Sequence, residues 1–212
     1  LELIVDAGAV VTFNTLQVIN GAVTVDGTAT LNMVTDGVGT ADVDDGVIKG
    51  AINVNSGGSL TVGTTSTNET LALTTAVDDG ATFVAASNLT AEGVITVGDG
   101  TDATPATFNL NGFTVTSDGV ADAVDVQASA APATAPSFGT SGTLVIASAG
   151  GLGGNTNATI PNLVLNGGGN DEISTDVTVS GIFTVNTASN GVNGDNVTVT
   201  GAAQVNANYT GT

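Results

Sequence analysis

The sequence predicts an all-β fold, a parallel β-helix (β-solenoid) with loops of irregular length, running through residues 1–212 as a single domain. Three observations predict it. Short runs of alternating apolar and polar residues stop at Gly, Asn or Asp. The apolar residues are small and β-branched. A unit of Gly followed by an alternating strand recurs along the chain. An antiparallel β-sandwich with strand exchange is the alternative that such short strands allow.

Composition supports layers of similar size over an irregular core. Hydrophobic residues make up 41% of the chain, aromatic residues 3%, and there is no Trp. Globular cores normally use aromatic rings to fill uneven space, so Val, Ala and Ile in repeated layers fit this chain better. Thr favours strands, while Asn, Asp and Gly favour turns. The usual exposed helix formers Lys, Arg, Glu and Gln are scarce.

Taken in order, the chain shows strand after strand. Residues 10–14 (Val-Val-Thr-Phe-Asn) and 21–25 (Gly-Ala-Val-Thr-Val) open the series. Residues 31–34, 50–55 and 58–62 continue it with clean alternation, each bounded by turn residues. Val43-Asp44-Asp45-Gly46 is echoed by Val77-Asp78-Asp79-Gly80, which reads as a repeated turn. Residues 93–97, 108–111, 142–146, 181–185 and 196–200 complete the set. The best helix candidate, residues 121–131, is Ala-rich, lacks an apolar face and runs into Pro132 and Pro136. It is expected to be part of a loop excursion over 119–141. Spacing between units is uneven, so each turn of the solenoid is expected to carry loops of different length. Asn and Thr beside the strands are expected to stack into ladders between coils.

Charge excludes several partners. The formal net charge is −19, and Lys49 is the one basic residue. Nucleic-acid binding needs cations to displace phosphate counterions, so no nucleic-acid partner is expected. No apolar run is long enough to span a bilayer as a helix, so the chain is not expected to be membrane-spanning. One Lys and no Arg leave a trypsin-like protease a single cleavage site, which suits an extracellular or cell-surface location. A chain that opens on Leu1 is expected to be processed or trimmed.

Catalysis has little to work with. Without His or Cys there is no Ser-His or Cys-His pair, and zinc loses its usual ligands. Asp44 with Asp45, or Asp78 with Asp79, is a conceivable acid pair for polysaccharide cleavage. The aromatic and basic residues that normally surround such a cleft are missing. No catalytic residue is assigned, and the chain is not expected to be an enzyme. No cofactor is required. Calcium is the candidate ligand, because hard cations take clustered carboxylates and carbonyls on loops. Three clusters qualify: Asp42, Asp44 and Asp45; Asp99 and Asp102; and Asn170, Asp171 and Glu172. Turn formation by Asp and Asn before Gly is the competing explanation for each.

Residues 10–14, 108–115 and 176–185 resemble the strand–turn repeats of secreted bacterial β-helix proteins, such as autotransporter passengers, filamentous adhesins and surface-layer repeats. The resemblance implies secretion with adhesion or matrix building, and it carries over no catalytic residue. Residues 169–173 (Gly-Asn-Asp-Glu-Ile) resemble one unit of the calcium-binding Gly-rich nonapeptide, a family that binds between tandem copies.

The expected function is that of an extracellular structural subunit that self-assembles into a surface filament, fibre or coat. The partners would be copies of itself, with surface glycans as a second class. Leu1, Leu3, Ile4 and Val5 form an apolar strand at one end, and Val205 and Tyr209 are their counterparts at the other. A solenoid with uncapped ends exposes strand edges that a neighbour can cover. The alternative is an adhesin or phage-fibre module that recognises a glycan or cell surface.

Overall fold

Each short strand takes one side of a three-sided coil. The computed structural model describes residues 2–16, 18–33, 46–64, 69–118, 123–147, 151–166, 172–186, 191–192 and 196–206. Among them every strand pairing is parallel, and the strands stack in chain order, so the chain is a parallel β-solenoid. An antiparallel sandwich is therefore wrong. Nine coils stack.

The first face runs through Leu3–Val5, Val23–Val25, Ile52–Val54, Thr75–Val77, Ile95–Val97, Val124–Val126, Leu152–Gly154, Glu172–Ile173 and Gly191–Val192. The third face runs from Val18–Ile19 through Leu89–Ala91 and Thr143–Ile146 to Ile182–Val185 and Ala202–Val205. The second face comes in two pieces. Val10–Leu16, Thr28–Met33, Ser59–Thr64, Thr82–Ala85 and Thr107–Asn109 form one, and Ala158–Ile160, Val177–Val179 and Val197–Val199 the other. In coil six Ser137 alone joins them, bridging Thr107 below and Thr159 above.

Alternation sorts the side chains. In Ile52–Val54 the outer two residues are buried and Asn53 is partly exposed, and Ile95–Val97 and Val177–Val179 repeat the pattern. Register then stacks like on like. On the first face Val5, Val25, Val54, Val77, Val97 and Val126 form one inward column. On the second face Leu60, Phe83, Phe108, Phe138 and Ile160 follow one another. Phe83 and Phe108 stack with centroids 4.7 Å apart and planes within 4°, and Phe138 tilts onto Phe108 at 6.1 Å. This aromatic stack fills the core where the second face loses its strand.

Facing outward at the same register, Thr28, Ser59, Thr82 and Thr107 line up on the second face. Asparagine ladders also form. Asn206 Nδ2 donates to Asn186 Oδ1 at 2.8 Å, Asn186 Nδ2 donates to Asn166 Oδ1 at 3.4 Å, and Asn32 Nδ2 donates to Asn14 Oδ1 at 3.1 Å.

The recurring glycines mark corners where one coil meets the next too closely for a side chain. A Cβ at Gly50 would collide with the Gly21 carbonyl, and one at Gly201 with the Gly181 carbonyl. Among the described residues, sequence separation between stacked partners varies from 17 residues (Leu16 to Met33) to 31 (Thr28 to Ser59). Thr28–Met33 and Ser59–Thr64 stay in register across the largest separation, whereas Val10–Leu16 shifts register against Thr28–Met33 between Phe13 and Leu16. Residues 121 and 122 of the Ala-rich segment lie outside the described residues. The rest departs from the expected loop, because Val124–Val126 is a strand of the first face in register with Ile95–Val97. Only after Gln127 does the chain leave the column, and it returns at Ser137.

Among the described residues, Thr75 and Ser117 place hydroxyls at inward strand positions, and Ser117 Oγ donates to the Ala123 carbonyl at 3.1 Å. Thr75 sits fully buried between Ile52 and Ile95, and its Oγ1 has no hydrogen-bond partner. Thr75→Val is expected to raise unfolding stability by about 1 kcal/mol, since it removes an unsatisfied buried hydroxyl. Phe108→Ala is expected to cost about 3–5 kcal/mol, because it opens the middle of the aromatic stack. Urea denaturation followed by circular dichroism reads both.

Candidate cation site at the corner between the first and second faces

The corner that leads from the first face to the second gathers acids from successive coils. Asp78 and Asp79 follow Thr75–Val77 in coil four, and Asp99 and Asp102 follow Ile95–Val97 in coil five. Hydrogen bonds tie the two turns together. The Asp79 amide donates to Asp99 Oδ1 at 3.4 Å, and the Asp102 amide donates to Asp79 Oδ2 at 3.3 Å. Thr101 holds Asp99 from its own loop, with its amide at 3.1 Å and its hydroxyl 2.8 Å from each carboxylate oxygen. Above them passes the chain of coil six, where the Gln127 amide donates to the Val97 carbonyl and the Ala130 amide to the Asp102 carbonyl.

Asp79 is the unusual member. Its side chain is fully buried, and Asp79 Oδ1 has no hydrogen-bond partner. Asp78 and Asp102 are half-buried and Asp99 is exposed. Burial raises the Asp78 pKa above its ordinary 3.8, and the nearby charges of Asp99, Asp79 and Asp102 raise it further. For Asp99, partial burial also pushes upward. The Thr101 hydroxyl and amide, the Asp79 amide and the adjacent Asp79 side chain outweigh it and bring Asp99 below 3.8. The two acids thus answer opposite forces within one corner.

Of the sequence-predicted ligands, Asp99 and Asp102 are brought together here. Asp42, Asp44, Asp45, Asn170 and Asp171 lie outside the described residues. Glu172 lies on the first face, where its backbone pairs with Gly191. Among the described residues no three His, Cys, Asp or Glu side chains form a ready-made metal cage. Asp79 was not among the expected ligands. Its signal was Val77-Asp78-Asp79-Gly80, which also makes an ordinary turn, with Gly80 at a φ of 74°. As half of an acid pair for polysaccharide cleavage Asp79 is badly placed, because a fully buried carboxyl does not meet a polymer.

The residues expected to mediate assembly occupy the two ends. Leu3 and Val5 stack on Val23 and Val25, while Ile4 points outward and is 57% exposed. Val205 closes the last described strand of the third face. Leu1 and Tyr209 lie outside the described residues. Comparison with known protein families, with curated proteins and with solved structures gives no match.

The sign of the pH dependence follows from the two shifts. The fold favours protonated Asp78, so ionised Asp78 subtracts from stability above its raised folded pKa, and the subtraction fades as pH falls to 3.8 and below. Asp99 behaves oppositely: its contribution is present above 3.8 and is lost as pH falls through its lowered folded pKa. Asp78→Asn is expected to raise the melting midpoint at pH 7 by about 1–2 °C. That gain should vanish below the ordinary carboxylate range, as read by calorimetry in a chelator-containing buffer.

Proposed function

We propose that the chain is a structural subunit of an extracellular filament, fibre or coat, extended by stacking the ninth coil of one copy on the first coil of the next. The observation that carries this reading is the uncovered face of coil nine. Phe183 and Val185 in coil eight are buried, yet Ala203 and Val205, which stack directly over them, are exposed, Val205 to 56%. The environment of the same inward column changes within a single rung.

Among the described residues Ala202–Val205 is the edge strand of its sheet, and a parallel strand edge is a template for a further strand. At the opposite end Leu3, Val11 and Phe13 are only partly buried against the core. The end surfaces differ, so the contact is head-to-tail, and such a contact propagates without closing. Placement outside the cell rests on composition: one basic residue leaves a trypsin-like protease a single cleavage site.

A second reading, a glycan-binding adhesin or fibre module, is favoured by one feature. An open groove of about 230 Å³ at the corners of coils seven and eight is lined by Gly154, Asn155, Thr156, Asn157, Ser174, Thr175 and Asp176. Amide, hydroxyl and carboxylate groups suit sugar hydroxyls, but no aromatic ring lines the groove to stack on a sugar face.

Purified protein is expected to form long thin assemblies by electron microscopy and a broad fast-sedimenting species by ultracentrifugation. Val205→Asp is expected to leave the β-sheet circular dichroism unchanged and to yield a monodisperse monomer, because a charge on the stacking face would be buried in the contact. Assemblies that persist unchanged in Val205→Asp would overturn coil stacking as their basis. A wild-type protein that stays monomeric at every concentration would sink the filament reading, and glycan retention by that monomer would favour the second.

A further inference from the structure

We propose that the corner formed by Asp79, Asp99 and Asp102 binds one divalent hard cation of the calcium type, with the buried Asp79 carboxylate as its inner ligand.

Asp79 is a buried acid with an unpartnered oxygen. An ionised carboxylate taken out of water needs donors or a cation around it. Asp79 is fully buried and receives one amide, from Asp102, on Oδ2, while Oδ1 receives none. Lys49, the one basic side chain of the protein, cannot neutralise it: Lys49 follows the third-face strand Val47–Ile48 and leads to the first face, at a different corner of the coil. More acid surrounds it, since the charges of Asp79, Asp99 and Asp102 all act on Asp78.

Gly98 lies where oxygens from coils four and six approach each other. It has a φ of 88°, and a Cβ there would collide with the Gln127 carbonyl oxygen and come within 3.2 Å of Asp79 Oδ1. The Gln127 main-chain oxygen and the unpaired Asp79 Oδ1 thus converge on one side of Gly98, in an approach too close for a side chain. Oxygen donors of mixed type on loops are what calcium takes, usually with waters completing the shell. Asp99, exposed on the solvent side and held in place by Thr101, supplies the second carboxylate. The site ties coils four, five and six together at the point where coil six leaves the column. Binding there stabilises the segment that carries Phe138.

Calorimetric titration of chelator-stripped protein with calcium chloride tests the proposal, run in parallel on Val205→Asp so that assembly does not enter. One calcium equivalent is expected to bind and to raise the melting midpoint. Asp79→Asn is expected to lose that equivalent, and Asp99→Asn to weaken it by about tenfold or more. Asp118→Asn, an exposed acid on another face, is expected to leave binding unchanged. An absence of calcium binding by the wild type overturns the proposal and leaves a buried water as the partner of Asp79 Oδ1. Retention of the full equivalent in Asp79→Asn overturns it as well. If Asp79→Asn fails to fold, unchanged affinity in Asp99→Asn decides against it.

Discussion

Every feature of this molecule depends on parallel strands held in register, one rung above another, about 4.8 Å apart. That spacing makes each inward side chain touch its equivalents in the coils above and below. A layer can be thin only if neighbouring layers match in size, which explains Val over Val on the first face and ring over ring at Phe83 and Phe108. The same constraint puts glycine at Gly50 and Gly201, where main chains of adjacent coils approach within the space of a Cβ. It also makes the ends the weakest places. Inside the column each rung is covered twice. At Ala203 and Val205 it is covered once.

Corners are free of the register rule, and chemistry collects there. Strands of adjacent coils align whether 19 or 29 residues separate them. Residues added between stacked strands elsewhere in the column include the loop after Val97 that carries Asp99, Thr101 and Asp102, and the excursion after Gln127. The acidic corner and the polar groove at Asn155–Asp176 are both products of this freedom. They lie along the same edge of the solenoid, between the first and second faces.

How much of this was legible in the sequence depends on which rule governs a residue. Residues 51–55 and 59–62 alternate cleanly, and they become Ile52–Val54 and Ser59–Thr64. The parallel direction followed from core composition, since a stack of like aliphatics needs equivalent positions in successive coils. Val124–Val126 was missed because its outward residue, Asp125, stands in an Ala-rich setting that supplies few β-branched neighbours. Ser137 was illegible for a different reason: one bridging residue has no periodicity at all. At the candidate site, Asp99 and Asp102 were visible as a carboxylate cluster beside Gly100. The role of Asp79 depends on burial by coil six, a tertiary effect that an Asp-Asp-Gly turn does not announce.

Coaxial stacking of coils between molecules is the claim on which the functional account rests, and X-ray fibre diffraction from oriented assemblies tests it most directly. Coil-on-coil extension predicts a strong reflection at about 4.8 Å along the fibre axis, continuous with the rung spacing inside each molecule. A 4.8 Å reflection perpendicular to the axis, with none along it, would contradict the account, because the subunits would then be joined through their sides.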